Sequence, residues 1–580
     1  MPTAMISDPR TFGSLLDLLD DAAERYDGRR QLALRTDEGL ELPWSARELR
    51  SRARLAAWRM RALGLQPGAR LLTWSPATPA LAAIYFGAMY AGVVVVPLDL
   101  RMAPEVLRRI ADSADAQWLA IGTGFDAPDS EAGGLAHLHI RTVESFSADP
   151  PHQRADATDE GGIDEPFPED WEAQLDAWAR PARDTLFEVI YTSGTTGMPK
   201  GVMLNHGSIL STLEAIAKIL PPRHHRTVSL LPASHLFDQA PVLFFGTMIG
   251  ADILYLRSRT PRVIFEALAE HRVTTMVVVP QLLQLFWNGI EREVKRQGRE
   301  KLFARSLAVA RVLPYWVRRL LFRRIHARLG GHLSLFVSAA AFLPPQLQQN
   351  WERVGVIVLQ GYGATECGPA AATSEKDHPT GTVGKTIAPV ELRLAEGTNE
   401  ILVGGPTLFS GYWQDPAATA AAVVDGWYHT GDVGRFDGRG NLVLMGRTRN
   451  VIVLPNGLNV FPEDIENVLE EVGLPHSVVV ETAPGRIEAI VLSPDAPPVI
   501  TANSPAPKPP ATPEEEAELR TRVDGLVKEA NRRLGQHQRI DAWRFWPEGD
   551  FPRTHTLKIK RAAVRQWAGA ETPLAVVERE

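Results

Sequence analysis

Short apolar runs alternate with helix-period stretches through the first two-thirds of the chain. ARLLTWS (69–75), PALAAIYFGAMYAG (79–92) and VVVVPLD (93–99) read as strand, helix and strand, and EVLRRIADSADA (105–116) and WLAIG (118–122) continue the pattern. Upstream, ARELRSRARLAAWRMRALG (46–64) places apolar residues at helical spacing and stops at glycine. The alternation resumes with LFEVIY (186–191), a helix over 207–218, TVSLLPASHLFDQ (227–239), HRVTTMVVVPQLLQLF (271–286), LSLFVSAAAFLPP (333–345) and VIVLQGYGATE (356–366). Strands alternating with helices predict parallel sheet with helices on its faces. Residues 123–183 are acidic, lack periodicity and read as a surface excursion. Residues 381–446 read as β-rich, with glycine turns at 404–405, 437–438 and 439–440.

A boundary falls near GRTRN (446–450). Beyond it the pattern gives a strand at 451–454, a helix at 463–472, strands at 476–482 and 487–493, a helix at 513–534 and a strand at 542–546. Eight prolines between 494 and 513 mark a linker-like insertion. At 580 residues the chain is too long for one core. The expected fold is α/β. A large N-terminal domain (1–446) holds several subdomains with parallel-rich sheets plus a β-rich one, and a small α+β domain (447–580) follows.

Residues 71–98 carry no formal charge and are long enough to span a bilayer, but Pro76, Pro79, Gly92 and Pro97 interrupt them. A buried helix and strand fit better. A net charge of −7 offers no electrostatic footprint for nucleic acid. The single cysteine, Cys367, excludes an intramolecular disulfide and fits a reducing cytoplasm. The N-terminus MPTAMISDPRTF lacks the basic and apolar regions of a signal peptide. Residues 291–332 depart from the acidic balance. Arg305, Arg311, Arg318, Arg319, Arg323, Arg324 and Arg328 interleave with Phe303, Leu307, Leu313, Trp316, Leu320, Leu321 and Phe322. This stretch reads either as a solvated helical face or as a peripheral contact with anionic lipid, which basic amphipathic helices support.

The chemistry concentrates in YTSGTTGMPKG (191–201), where a strand runs into glycines, hydroxyls and a lysine. Glycine lets backbone N–H groups turn toward an anion, hydroxyls add donors, and lysine adds charge, so the stretch reads as a phosphate cradle. Its spacing is not that of a Walker A loop. Further stretches follow in order: LPASHLFD (231–238), VSAAAFLPP (337–345), GYGATE (361–366), YHTGD (428–432), GR (446–447) and FPRTHTLKIKR (551–561). Glu366 can present a hard oxygen to Mg²⁺.

Together these motifs resemble the AMP-forming adenylating enzymes, the superfamily of acyl-CoA synthetases, luciferases and peptide-synthetase adenylation domains. The resemblance covers roughly residues 30–565. It implies that Thr192, Ser193, Gly194, Thr195, Thr196, Gly197 and Lys200 hold ATP phosphates. It implies that Gly361 and Tyr362 lie against adenine, that Thr365 contacts the α-phosphate, and that Glu366 binds Mg²⁺. Asp432 and Arg447 take the ribose, and Arg449 stands at a hinge where relatives usually carry Asp or Lys. His235 sits between the acyl and nucleotide sites. Lys558 offsets the repulsion between a carboxylate and the α-phosphate, although Leu557 replaces the usual glycine and Lys560 and Arg561 stand nearby. Ala339 to Ala341 stand where glycines are common. The small domain is expected to be mobile, rotating between adenylation and thioester formation, with 457–466 facing a thiol channel in the second step.

LPASHLFD and NVIVLPNGLNVFPEDIE (450–466) look most like bacterial medium- to long-chain fatty acyl-CoA synthetases. The substrates implied are ATP, a fatty acid or other carboxylate, and CoA, with an apolar tunnel along Val242 to Gly246 and near Gly361. An acyl-AMP ligase that passes its product to an acyl carrier protein is the alternative, and a catalytically silent nucleotide- or acyl-binding relative is a third reading. The expected location is the cytoplasm, with peripheral contact at the inner face of the membrane.

Overall fold

The architecture is taken from a computed structural model. It describes residues 7–123, 135, 137–149, 167–192, 199–221, 223–454, 458–492, 513–553 and 559–570. The proline-rich insertion lies outside these residues apart from Pro513, which opens a helix.

Three sheets organise the first 390 residues. In the first, strands run in the order His139–Thr142, Trp118–Ile121, Arg70–Trp74, Val94–Pro97, Leu186–Thr192 and Lys200–Asn205. All neighbours are parallel except the last pair. The apolar segment considered as a membrane span is Arg70–Trp74, the helix Pro79–Ala91 and Val94–Pro97, with every residue of that helix buried. Thr78 caps the helix and Gly92 ends it in a left-handed conformation. No helix among the described residues is long and apolar enough to cross a membrane.

The second sheet orders Thr275–Val278, Leu335–Ser338, Ile357–Ala364, Gly368–Ala372 and Lys385–Thr386, parallel over the first three and antiparallel thereafter. The third joins Gly39–Ser45, Arg30–Thr36, Asp252–Leu256 and Arg226–Ser229. The β-rich subdomain is antiparallel, built from Glu391–Leu394, Glu400–Gly404, Trp427–Phe436, Val423–Val424 and Leu442–Arg447. After Arg447 a 3₁₀ turn, Thr448–Asn450, leads to an α+β segment around the sheet Ser477–Ala483, Arg486–Val491 and Ala542–Phe545. The two apolar clusters of this segment draw only on residues from Ile452 onward.

Two expectations need correction. The excursion 123–183 is not all loop. His139–Thr142 is the edge strand of the first sheet, and the helix Trp171–Asp176 packs on the helix Ala46–Ala62. Trp58 stacks on Trp178 at 5.9 Å and meets Trp171 edge-on at 6.1 Å. A few aromatic anchors hold this segment where periodicity is absent. The strand read into 227–239 ends at Ser229, and the chain passes through a short helix, Leu236–Asp238, into a π-helical turn, Gln239–Phe244. Val242, Phe244 and Phe245 pack into the main core there, and a Cβ on Gly246 would lie 2.8 Å from Ile253 Cδ1.

Candidate functional site

The strand Leu186–Thr192 delivers the chain to the phosphate-loop motif. Thr192 and Lys200 face each other across the antiparallel pair, with Thr192 Oγ1 donating to the Lys200 carbonyl at 3.5 Å. Ser193, Gly194, Thr195, Thr196 and Gly197 lie outside the described residues, as does Lys558. Gly201 is a glycine for packing: a Cβ would sit 2.7 Å from Val189 Cγ1 and 3.1 Å from Trp413 Cβ.

Trp413 belongs to a segment the sequence did not flag. Residues 411–413 run along the edge of Lys200–Asn205, through Met203 N–H to Gly411 O at 3.0 Å and Trp413 N–H to Gly201 O at 2.7 Å. This places the Tyr412 ring 4.8 Å from the Lys200 ammonium, a cation–π contact. The Tyr412 hydroxyl donates to Glu366 Oε1 at 3.1 Å. Lys200 of one motif and Glu366 of another are thus joined through one tyrosine.

Glu366 and Thr365 sit, partly exposed, at the tip of the hairpin formed by Ile357–Ala364 and Gly368–Ala372. The hairpin closes tightly because Gly363 lacks a side chain; a Cβ there would lie 2.1 Å from the Gly368 carbonyl. Gly361 differs. Its nearest atoms would be 3.8 and 3.9 Å from a Cβ, an ordinary contact, so packing within the protein does not require glycine there.

On the same hairpin Tyr362 is buried and its hydroxyl donates to Asp432 Oδ2 at 2.8 Å. Asp432 and Arg447 are partners across neighbouring strands, and Arg447 Nε meets Asp432 Oδ1 at 2.9 Å. Burial first, and then the Asp432 charge, holds the Tyr362 hydroxyl well above its ordinary pKa, so it remains a donor. The strand Trp427–Phe436 also carries Tyr428, whose hydroxyl is raised by burial and then by the Glu366 charge. Gly361, Tyr362, Thr365, Glu366, Lys200, Asp432 and Arg447 therefore share one neighbourhood.

His235 stands apart, with no hydrogen bond or ion pair joining it to that neighbourhood among the described residues. Its Nε2 lies 3.3 Å from Asp99 Oδ2. Burial would raise the Asp99 pKa, but hydrogen bonds from Arg101 and His235 outweigh it and hold the carboxyl below its usual range. A charged carboxylate on the ring fixes its orientation. Two buried acids beneath it went unread in the sequence. Asp238 accepts from Ser229 Oγ at 3.1 and 3.0 Å, and burial pushes it up to about 7. Glu188, in the strand before the phosphate loop, is fully buried and pushed up to about 8. Gln239 Nε2 donates to Glu188 Oε1 at 2.7 Å and to the Ala233 carbonyl at 2.7 Å, tying that strand to the His235 segment. The signal for Glu188 was present, since an acid in the apolar run LFEVIY needs a partner inside.

Ala340 carries φ +70°, a left-handed conformation, in the turn after Leu335–Ser338. Of the three alanines, Ala340 thus holds a glycine-type backbone conformation.

Arg449 lies in the 3₁₀ turn between the two parts of the chain. Its pKa is lowered by burial and then by Arg447, with Asp432 and Glu463 opposing. Glu463 reaches back to this turn and to the sheet: Asn450 Nδ2 donates to its Oε1 at 2.6 Å, and a Cβ on Gly446, in the strand Leu442–Arg447, would meet its Oε2 at 2.8 Å. Arg561 is not a free charge beside Lys558. It forks onto Glu466 at 2.5 and 2.8 Å and onto the Val479 carbonyl at 2.6 Å.

Among the described residues no three His, Cys, Asp or Glu side chains group as a metal cage. A single partly exposed carboxylate, Glu366, fits Mg²⁺, which is usually held by one or two carboxylates together with substrate phosphates.

The AMP-binding enzyme family matches residues 19–413. A long-chain-fatty-acid–CoA ligase, FadD15, of Mycobacterium bovis is 28% identical over 94% of this chain and 94% of its own. A long-chain-fatty-acid–CoA ligase of Salmonella typhimurium is 26% identical over 82% of this chain and 83% of its own. Among solved structures, the anthranilate CoA ligase AuaEII in complex with anthranoyl-AMP aligns with a TM-score of 0.71 at 18% identity, covering 98% of this chain and 99% of that one. The o-succinylbenzoate CoA synthetase of Bacillus subtilis, with an acyl-adenylate intermediate, aligns with a TM-score of 0.69 at 18% identity over 94% and 97%. With the fold shared and the family match spanning most of its length, this chain belongs to the AMP-binding enzymes.

Proposed function

We propose that the enzyme joins a medium- or long-chain fatty acid to CoA in two steps. The acid attacks the α-phosphate of ATP, giving acyl-AMP and pyrophosphate. The thiol of CoA then attacks the acyl carbon, giving acyl-CoA and AMP. The observation that carries this reading is the hairpin Ile357–Ala364/Gly368–Ala372. It joins Glu366 to Lys200 through Tyr412 and Tyr362 to the Asp432–Arg447 pair. The names of the full-length relatives support the acyl class and the CoA acceptor.

In this reading Thr192, Lys200 and the residues 193–197 cradle the phosphates, and Gly361 and Tyr362 border the adenine. Thr365 meets the α-phosphate, and Asp432 accepts from the ribose hydroxyls. Glu366 would hold Mg²⁺, which neutralises phosphate charge when bound. His235, oriented by Asp99, borders the reacting carboxylate. The chain divides into an adenylation domain, 1–446, and a small domain, 447–580, that turns about Arg449 and brings Lys558 to the first step. A lysine between two anions lowers their repulsion, and preorganised charge of this kind is commonly the largest catalytic contribution. The enzyme works in the cytoplasm and draws its acid from the inner face of the membrane.

Pyrophosphate exchange across a carboxylate panel, followed by CoA addition, tests this. Exchange with C8–C18 acids and AMP release that depends on CoA are expected. Exchange without consumption of the adenylate by CoA would instead make an acyl carrier protein the acceptor. No exchange with any chain length, from folded ATP-binding protein, would overturn the reading.

A further inference from the structure

The described surface is apolar in one unexpected place. Twelve large apolar side chains are exposed, and six of them, Leu302, Val309, Val312, Trp316, Leu320 and Leu321, fall within twenty residues. Trp316 is 67% exposed and Val312 83%. They belong to the helices Glu300–Ala310 and Tyr315–Leu321 and the link between them. The other side of the first helix is conventional: Phe303, Leu307 and Ala310 pack into the second core. Leu302, Arg305 and Val309, at i, i+3 and i+7, form its outward stripe. Trp316 and Leu320, at i and i+4, extend the apolar path on the next helix. Six exposed large apolar side chains gathered on two successive helices mark a contact surface.

The charges around the patch state its partner. Residues 291–332 hold twelve Lys and Arg against three Glu, within a chain of net charge −7. Arg318 and Arg319 are spent on the fold. Arg318 donates to the Leu313 and Glu352 carbonyls, and Arg319 to those of Leu333 and Gly331. Arg305, Arg311, Arg323 and Arg324 are exposed, and none of them forms an ion pair among the described residues. Exposed apolar side chains interleaved along the chain with exposed arginines match a bilayer with anionic headgroups: the rings and branches enter the acyl boundary and the guanidiniums meet phosphate.

We infer that the outward face of residues 300–324 docks the enzyme onto anionic phospholipid, with Trp316 and Leu320 inserted and Arg305, Arg311, Arg323 and Arg324 at the headgroups. This deepens the fatty-acid reading by giving the substrate's route, yet docking itself needs no catalysis. Each basic side chain near such a surface contributes about fivefold to partition, and salt weakens that share.

The test is co-sedimentation of the full chain with phosphatidylcholine vesicles, with and without phosphatidylglycerol, at low and at physiological salt. Wild type should bind the anionic vesicles, more weakly as salt rises, and bind pure phosphatidylcholine poorly. Arg305→Gln/Arg311→Gln should lower partition about 10- to 30-fold, and Trp316→Ser/Leu320→Ser, which removes two inserted apolar side chains, at least as much. Their melting temperatures and their acyl-CoA formation from octanoate should not change. Equal partition of wild type and both variants, or no binding to anionic vesicles, overturns the proposal. So does a sedimentation-velocity dimer of wild type that Trp316→Ser/Leu320→Ser dissociates, since the patch would then face a second copy. Failure of the fatty-acid reading would appear in the activity alone, with vesicle binding intact.

Discussion

Replacing Tyr362 by Phe removes one hydroxyl and keeps the ring, so it separates two roles. If Tyr362 only borders the adenine, nucleotide binding is unchanged. If its hydroxyl also orients Asp432, which it meets at 2.8 Å, the ribose contact loosens. A hydrogen bond to a charged group contributes about 1.5–3 kcal/mol. Arg447 still holds the other oxygen at 2.9 Å, and Asp432 is 17% exposed, so water recovers part of the loss. About 1.5 kcal/mol remains, or roughly tenfold in affinity. Calorimetric titration with AMP and with 2′,3′-dideoxy-AMP gives the readout. AMP should weaken about tenfold in Tyr362→Phe, while the dideoxy nucleotide, which has no hydroxyls for Asp432, should change less than about twofold. Asp432→Asn should remove most of the difference between the two nucleotides, and adding Tyr362→Phe to it should cost little more. Unchanged AMP affinity, or equal losses for both nucleotides, would refute the coupling of hydroxyl to carboxylate.

Lys558→Ala should slow pyrophosphate exchange by about 100-fold or more while leaving thioester formation from supplied acyl-AMP much less affected; equal losses in both half-reactions would count against the assigned step. Glu188 is pushed up to about 8 from an ordinary 4.5, so its contribution to stability is complete below pH 4.5 and is lost as pH rises toward 8. Glu188→Gln keeps an oxygen for Gln239 and should flatten the fall of melting temperature between pH 5 and 8.5, with a gain on the order of 4 kcal/mol at the alkaline end; parallel profiles for both proteins would mean that the carboxyl does not titrate there. Ala340→Gly relieves a left-handed backbone at φ +70°, which costs an alanine about 1–2 kcal/mol, against about 0.4–1 kcal/mol of added chain entropy in the unfolded state. Melting should show a rise of up to about 1 kcal/mol in stability, and a clear fall would show that the methyl is needed for packing.

The sheets were legible because each buried strand and its covering helix leave a periodic trace; the predicted 79–92 and observed Pro79–Ala91 differ by one residue. The motif residues on the hairpin were legible because glycine spacing and an acid at a turn are local features. Tyr412 was not. Its role depends on segment 411–413 lying beside Lys200–Asn205, a long-range pairing that no local pattern encodes. Asp99 escaped for the same reason, since its partner His235 arrives from another part of the fold. Gly201 and Gly361 read alike in sequence, yet one has no room for a Cβ and the other would place it in ordinary contact, a distinction that only neighbours in space decide.

Arg447 ends its strand where the chain leaves the sheet, two residues before Arg449, and Asp432 is its partner across the neighbouring strand. In a body turning about an axle, displacement grows with distance from the axle. With Arg449 as the proposed hinge, the sugar would sit almost at the centre of the swing. The same two side chains could then grip the nucleotide through both chemical steps, while a large arc at the far end exchanges one set of groups for another.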